Sequence, residues 1–312
     1  MKVNRIRQNL LPLLTAMIWG TAFVAQSVGA EHMEAFTFNT ARAVIAFVFL
    51  LCLWAVLAVV RRGREGRTHT AAAPGSRKKL LIGGVCCGTA LTVASYFQQK
   101  GLETTTAGKA GFVTALYIVL VPLLGLLLGR QVKRSVWCSV ALAVVGLYCL
   151  CVSESFTVTG GDLYLLLCAL CFAVQIMTVD YFSQRVDGVA LSCVQFFVMS
   201  VLSAFGMMTE TMPDMTAASE WIWPVLYVGV FSSGVAYTLQ ILSQKDADPS
   251  VVSLLMSLES LFATIAGALI LHDRMNGREY LGCVLMLAAV ILTQLPEGIF
   301  QRLVPASRRT AE

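Results

Sequence analysis

The chain has 312 residues, of which 57% are hydrophobic and 13% charged, and it carries a net charge of +5. An average soluble domain has about 45–50% apolar and about 25% charged residues, so this chain could not cover its own surface as a soluble globular enzyme. Its charges lie between long apolar runs, which makes the positive balance a matter of membrane topology and excludes a nucleic-acid binder.

Ten apolar stretches follow one another, each near the roughly 20 residues that cross a bilayer as a helix. The first five are Leu10–Val28, Phe36–Val60, Leu80–Leu102, Thr105–Gly129 and Ser135–Val152. The second five are Gly161–Ser183, Val189–Thr209, Ile222–Ser243, Pro249–Leu271 and Glu279–Leu295. The expected fold is an all-α membrane protein with ten transmembrane helices. Connections are short except Arg61–Lys79, a basic loop rich in Ala, Gly and Thr. Lys2, Arg5 and Arg7 ahead of an apolar run resemble a signal peptide with a cleavage site at Val28-Gly29-Ala30. Trp19-Gly20 interrupts the run where a signal core would be plain aliphatic, so it is read as a span.

Basic residues set the orientation. With the N-terminus inside, 18 of the 23 Lys and Arg fall in cytoplasmic segments and four in outer loops, with Arg42 inside the membrane. The outer loops are instead acidic, with Glu31, Glu34, Glu154, Asp162, Glu210, Asp214 and Glu220; Arg274 and Arg278, both in one outer loop, are the main exceptions. Both termini are expected in the cytoplasm. The ten cysteines all sit in apolar runs, where they act as small hydrophobes. Cys168 and Cys171 have CxxC spacing but lie mid-helix with no His nearby, so packing is expected. Glu31-His32-Met33-Glu34 has metal-binding residue types, yet an outer loop is the simpler reading. No metal or cofactor is expected.

Five helices are followed by five of similar design. Tyr96 and Gln99 in the third span and Tyr237 and Gln240 in the eighth share the i, i+3 spacing that puts both side chains on one helix face. Leu116, Gly125 and Leu127 match Leu258, Gly267 and Leu269 at constant offset, and Ala16 to Gly20 resembles Ala169 to Ala173. The repeats are expected at residues 1–153 and 154–312. Five is odd, so the second copy enters the membrane from the opposite side. Inverted five-helix repeats (5+5) are an architecture of secondary transporters.

At these residues the chain resembles the EamA-type branch of the drug/metabolite transporter superfamily. The resemblance rests on Trp19-Gly20-Thr21-Ala22-Phe23, on Arg42, on Thr106 to Tyr117 running on to Pro122, and on Leu258-Glu259 followed by Gly267. The chain departs from the family where Ser260 follows Glu259 in place of a frequent Pro, and where Ile118 stands beside Tyr117 with the proline later, at Pro122. The resemblance implies ten helices and export or exchange of small metabolites such as amino acids across a bacterial inner membrane.

Glu259 is the sharpest candidate. It lies ~15 Å into the ninth span at 1.5 Å rise per residue, close to mid-bilayer, where a charge usually faces a cavity or a partner. Low dielectric penalises its charged form, so it is read as a substrate contact or the proton acceptor of an H⁺-coupled cycle, the alternative being a structural Glu hydrogen-bonded to another helix. Arg42, about 9 Å below the outer end of its span, binds a carboxylate, snorkels to the outer surface or holds a helix in place. Lys109 is expected to snorkel. Trp19, Tyr96, Gln98, Gln99, Tyr117, Tyr237 and Gln240 carry polar groups that are costly to face toward lipid, so they are candidates to line a central solute site. Gln26, Gln175 and Gln195 are weaker versions of the same argument. Pro122 removes a backbone bond deep in span four, and paired interruptions in spans four and nine would mark a binding site. Gly84–Gly88 and Gly125–Gly129 have GxxxG spacing and are assigned to close packing.

The other function classes have less support. His32, His69 and His272 fall in loops, no Asp lies mid-span, and no GxSxG or HExxH stretch occurs, so an intramembrane enzyme is disfavoured. A passive channel remains as the alternative to a secondary transporter.

Overall fold

A computed structural model of the chain describes residues 2–64, 76–105, 107–151, 160–245, 247–270 and 276–295. Thirteen α-helices run through it: α1 Lys2–His32, α2 Ala35–Arg64, α3 Ser76–Leu102, α4 Ala107–Ala115, α5 Tyr117–Leu127, α6 Arg134–Cys151, α7 Gly160–Ser183, α8 Gly188–Met207, α9 Ala218–Tyr227, α10 Tyr237–Gln244, α11 Pro249–Met256, α12 Glu259–Ile270 and α13 Gly277–Gln294. A π-helical segment, Val228–Ala236, joins α9 to α10 without a break, and no strand occurs among the described residues. Most of the Arg61–Lys79 loop lies outside those residues, as do Glu154, His69, His272, Arg274 and residues 296–312.

Nine helical stretches among the described residues are long and apolar enough to cross a membrane, and a further apolar helix, Arg134–Leu150, is shorter. Large apolar side chains stand outward around the molecule, among them Val59, Phe205, Trp223 and Val284. So much exposed apolar surface would be a liability in water. The interior holds the opposite chemistry: Arg42, Gln99, Gln175, Gln195, Gln240, Gln244 and Glu259 are all buried. Apolar outside and polar inside is the arrangement of a multi-pass membrane protein.

The helices of the two chain stretches interleave. α3 packs on α7 and α8, α2 on α8 and the π segment, α6 on α13, and α1 on α10, α11 and α12. Small residues set the closest approaches. A Cβ on Gly20 would stand 2.6 Å from the Glu259 carbonyl oxygen and 2.8 Å from the Ala263 nitrogen, so only glycine lets α1 lie this tightly against α12. Gly84 and Gly88 press α3 onto Val194 and Val198 of α8, the packing role expected of that pair. Gly125–Gly129 does something else. Gly129 has φ +76°, its N–H donates to the Leu126 carbonyl, and the Arg130 N–H donates to the Gly125 carbonyl. That is a Schellman ending, in which a left-handed residue satisfies the last carbonyls of a helix.

The interruption predicted at Pro122 lies elsewhere. Pro122 sits inside α5, whereas the span breaks at Leu116, whose N–H reaches back three residues to Val113 at 3.2 Å. The ninth span breaks at Ser257–Leu258, where Leu258 N–H reaches Leu255 at 3.3 Å and Ser260 N–H reaches Ser257 at 3.3 Å. Such i→i−3 bonds tighten the turn and shift the axis. Ser253 and Ser257 hydroxyls turn back onto the Ser250 and Leu254 carbonyls at 2.9 and 2.8 Å, a habit that bends helices. The eighth span has its own irregularity in the π segment, which has no counterpart in the sequence reading.

Candidate functional site

The two breaks meet at the centre. Tyr117 is the first residue of α5 and Glu259 the first of α12. The Tyr117 hydroxyl donates to Glu259 Oε1 at 3.3 Å. A carboxylate at a helix start is favoured by the helix dipole, so the break that exposes the α12 N-terminus also gives Glu259 a compatible place. These two side chains form one wall of a small cavity of about 30 Å³. That is room for one or two waters.

Arg42 stands on another wall, 1% exposed. Its Nε donates to Ser233 Oγ at 3.0 Å and its Nη1 to Gln26 Oε1 at 2.9 Å. Tyr237 is also within its reach. All of these partners are neutral. Arg42 therefore neither snorkels nor forms an ion pair among the described residues. The Gln26 carbonyl accepts from Gln99 Nε2 at 3.1 Å, which fixes the residue that holds the guanidinium.

The remaining walls are aromatic and amide. Trp19 packs on Tyr237 with centroids 4.8 Å apart, and Tyr237 meets Phe196 at 5.6 Å. Trp19 Nε1 donates to the Ser232 carbonyl at 3.3 Å and Thr15 Oγ1 to the Ala236 carbonyl at 3.3 Å. Both acceptors belong to the π segment. Gln240 opens a chain of amides, donating to Gln175 Oε1 at 3.1 Å while Gln175 donates to Gln195 Oε1 at 3.5 Å. The Gln240 Oε1 atom has no protein partner, and Gln240 lines the cavity.

Of the nine candidates, Trp19, Arg42, Gln98, Tyr117, Tyr237, Gln240 and Glu259 line this cavity. Tyr96 and Gln99 do not. Tyr96 stacks on Phe36 at 4.3 Å, and Gln99 braces Gln26 from behind. The sequence reading missed Thr114, Phe172 and Ser232 as lining residues and ranked Gln26 too low. Phe172 is the counterpart of Trp19 at the offset that matches Ala16 to Ala169, so the repeat could have found it.

Ion pairs flank the site at both ends of α7. Lys109 Nζ meets Asp162 Oδ2 at 2.7 Å, with both side chains largely buried. Pairing explains why Lys109 does not snorkel: leaving Asp162 alone in the bundle would be costly. At the other end Arg130 pairs with Asp180, itself 1% exposed. On the face opposite to that end, Glu210 caps α2 by accepting from Phe36 N at 2.9 Å and Thr37 N at 2.7 Å. Glu34 returns the contact, accepting from Thr211 N at 2.9 Å and Thr211 Oγ1 at 2.6 Å. These bonds, the Thr211 hydroxyl first, hold the Glu34 carboxyl below the ordinary glutamate value. His32, the last residue of α1, lies 3.5 Å from Glu220 in the first turn of α9.

The site gathers one buried arginine, one buried carboxyl group, aromatic faces and amides around a single small cavity. Comparison with known proteins supplies the family. The profile of the EamA-like transporter family matches the chain twice, over residues 7–152 and 159–295. An uncharacterized transporter of Archaeoglobus fulgidus is 31% identical over 94% of this chain and 87% of its own length. An uncharacterized transporter of Synechocystis is 25% identical over 95% and 92%, and a chloroplastic WAT1-related protein of Arabidopsis thaliana is 24% identical over 67% and 54%. A solved crystal structure superposes with a TM-score of 0.75 at 18% identity, covering 95% of this chain and 98% of that one, which speaks for the fold alone. With the family profile spanning nearly the whole chain and both the apolar exterior and the polar centre in place, the protein belongs to the EamA-like transporter family: a multi-pass membrane transporter of small solutes.

Proposed function

We propose that the protein exports or exchanges a small zwitterion of the amino-acid type by alternating access, with a proton carried by Glu259. The observation that carries this reading is the disposition of Arg42 and Glu259. Each is buried, each lines the same cavity, they come from different chain stretches, and neither is ion-paired among the described residues. A buried unpaired charge is costly. A solute with a carboxylate for Arg42 and an ammonium for Glu259 relieves both at once, and a proton on Glu259 relieves one of them when the solute has left. The arginine retains free N–H donors beyond those used by Ser233 and Gln26, and guanidinium geometry suits a carboxylate.

Alternating access by two inverted five-helix halves, ten spans in all, has three supports. The family profile matches twice. The breaks at Leu116 and Leu258 fall at the same offset as the Gly125 and Gly267 pair. The packing pairs exchange partners in the same way, α3 with α7 as α1 with α10 and the π segment. The cavity is far smaller than an amino acid, which favours a gated path over a standing channel. The distribution of 18 basic residues against four favours cytoplasmic termini, and the family resemblance favours a bacterial inner membrane.

The test is to express the protein in bacteria and profile excreted small molecules by mass spectrometry, beside equal amounts of Glu259→Gln and Arg42→Gln. Accumulation of a few amino-acid-like metabolites with the unaltered protein only is the expected result. Equal accumulation with both variants removes the site. Accumulation of solutes bearing only one sign of charge removes the zwitterion.

A further inference from the structure

A second cavity lies away from the centre. It is an apolar groove of about 400 Å³, open on the bilayer side of the molecule. One wall is α5, with Leu124, Leu127 and Leu128; the other is α7, with Val174, Met177 and Tyr181 among its lining. Leu127 is 82% exposed, so the groove is walled by protein on two sides and closed by none on the third. Its volume suits a single acyl chain.

The mouth of the groove is cationic. Arg185 lies over the Tyr181 ring with its guanidinium carbon 3.7 Å from the centroid, so a groove-lining residue carries the charge at its edge. Arg130 reaches Asp180, the residue next to Tyr181, and stands directly after the Schellman ending that closes α5. Arg134, exposed, opens α6 just beyond. Asp180 offsets Arg130, and Asp248 stands near enough to Asp180 to act on it. Arg185, over the groove-lining Tyr181, is the cation the geometry places at the edge, and Arg134 follows Arg130 closely in the chain. Basic pockets between transmembrane helices are the usual seats of anionic headgroups.

From this juxtaposition, an apolar groove between α5 and α7 beneath an arginine rim, we infer that the protein holds one anionic phospholipid, its chain along α5 and its headgroup on Arg185 and the Arg130–Arg134 connection. The site is separate from the solute cavity. It depends on the protein spanning a membrane and not on the identity of any solute. Because α5 begins at the Leu116 break, the lipid would lie against the arm that carries Tyr117.

The experiment is native mass spectrometry of the full chain released from detergent after equilibration with equal amounts of phosphatidylglycerol and phosphatidylcholine. One phosphatidylglycerol is retained in preference. Arg185→Gln with Arg134→Gln lowers that preference about fivefold for each charge removed. Thr178→Trp fills the groove and lowers retention of both lipids. Size-exclusion elution and helical circular dichroism of each variant confirm that it is folded. Equal retention of the two lipids by the unaltered protein overturns the inference, and so does a preference that survives in both folded variants.

Discussion

Tyr117 and Glu259 hold the same position in their helices, each being the first residue after a break, and the one donates a hydrogen bond to the other at 3.3 Å. Removing either end of that bond separates charge from geometry. In Glu259→Gln the amide still accepts from Tyr117 but carries neither charge nor proton. Loss of a charged contact is worth about 1.5–3 kcal/mol, or about 10–100-fold, so solute transport falls by that order and its pH dependence disappears. Tyr117→Phe keeps the acid: transport falls less, and pH dependence persists. Transport rates in proteoliposomes across a pH series check both.

Arg42→Lys keeps a positive charge and discards the fork that reaches Ser233 and Gln26 together. An ammonium cannot make both contacts and still present a flat pair of donors to a carboxylate. Apparent KM for the solute rises about tenfold or more, with expression and folding kept. Arg42→Gln loses the charge as well and falls further. Counterflow measurements over a range of solute concentrations separate the two.

Gly20→Ala introduces a methyl against backbone atoms of α12, at 2.6 Å from the Glu259 carbonyl. Neither neighbour is a flexible side chain, so α1 has to move off α12. The cost of overpacking is typically about 1–3 kcal/mol. A lower melting temperature in detergent and weaker transport are both expected, and Gly160→Ala, where a Cβ meets open space, serves as the control.

Asp180 is buried while its partner Arg130 is half exposed. Breaking such a pair from one side leaves an uncompensated charge and costs about 3–5 kcal/mol. Arg130→Gln therefore destabilises the protein more than the double change Arg130→Gln with Asp180→Asn. Thermal unfolding of the two variants beside the unaltered protein in one detergent decides it.

The Glu34–Thr211 contact carries a pH signature. The folded carboxyl is held below the ordinary value of 4.5, so its contribution is complete above that value and is lost as pH falls through the lowered one. Glu34→Gln abolishes this acid-side loss. Removing Glu210, which caps α2, costs about 1 kcal/mol at neutral pH, as other helix caps do. Melting temperatures of the unaltered protein, Glu34→Gln and Glu210→Ala from neutral pH down to about pH 3 report both effects.

Much of this was legible in the chain. Apolar length and the spacing of basic residues gave the spans, because lipid imposes a strict demand on composition. The requirement that polar side chains avoid lipid pointed Trp19, Arg42, Gln98, Tyr117, Tyr237, Gln240 and Glu259 inward. It could not say how far inward, which is why Tyr96 and Gln99, on the same helix as Gln98, were grouped with them: one turn of a helix separates a cavity wall from a packing contact. Pro122 misled for a related reason. A proline removes one hydrogen bond, but the fourth span instead breaks at Leu116, and the ninth breaks at Ser257 beside a run of serines whose hydroxyls compete for carbonyls. Lys109 was read alone, and its fate was decided by Asp162, more than fifty positions away in the chain.

The ion pairs at the two ends of α7 have a mechanical consequence. Lys109 belongs to the piece of the fourth span before its break and Arg130 follows the piece after it, so α7 is fastened on both sides of the Leu116 joint like a splint. Among the described residues no ion pair fastens α11 and α12 to α1 in the same way; there the contact is the bare backbone of Gly20. The joint at Leu116 is tied by charge on both sides, whereas the joint at Leu258 is held by close backbone packing on Gly20 and by the Tyr117–Glu259 hydrogen bond. In the alternating-access cycle proposed above, the two arms would resist bending by different means.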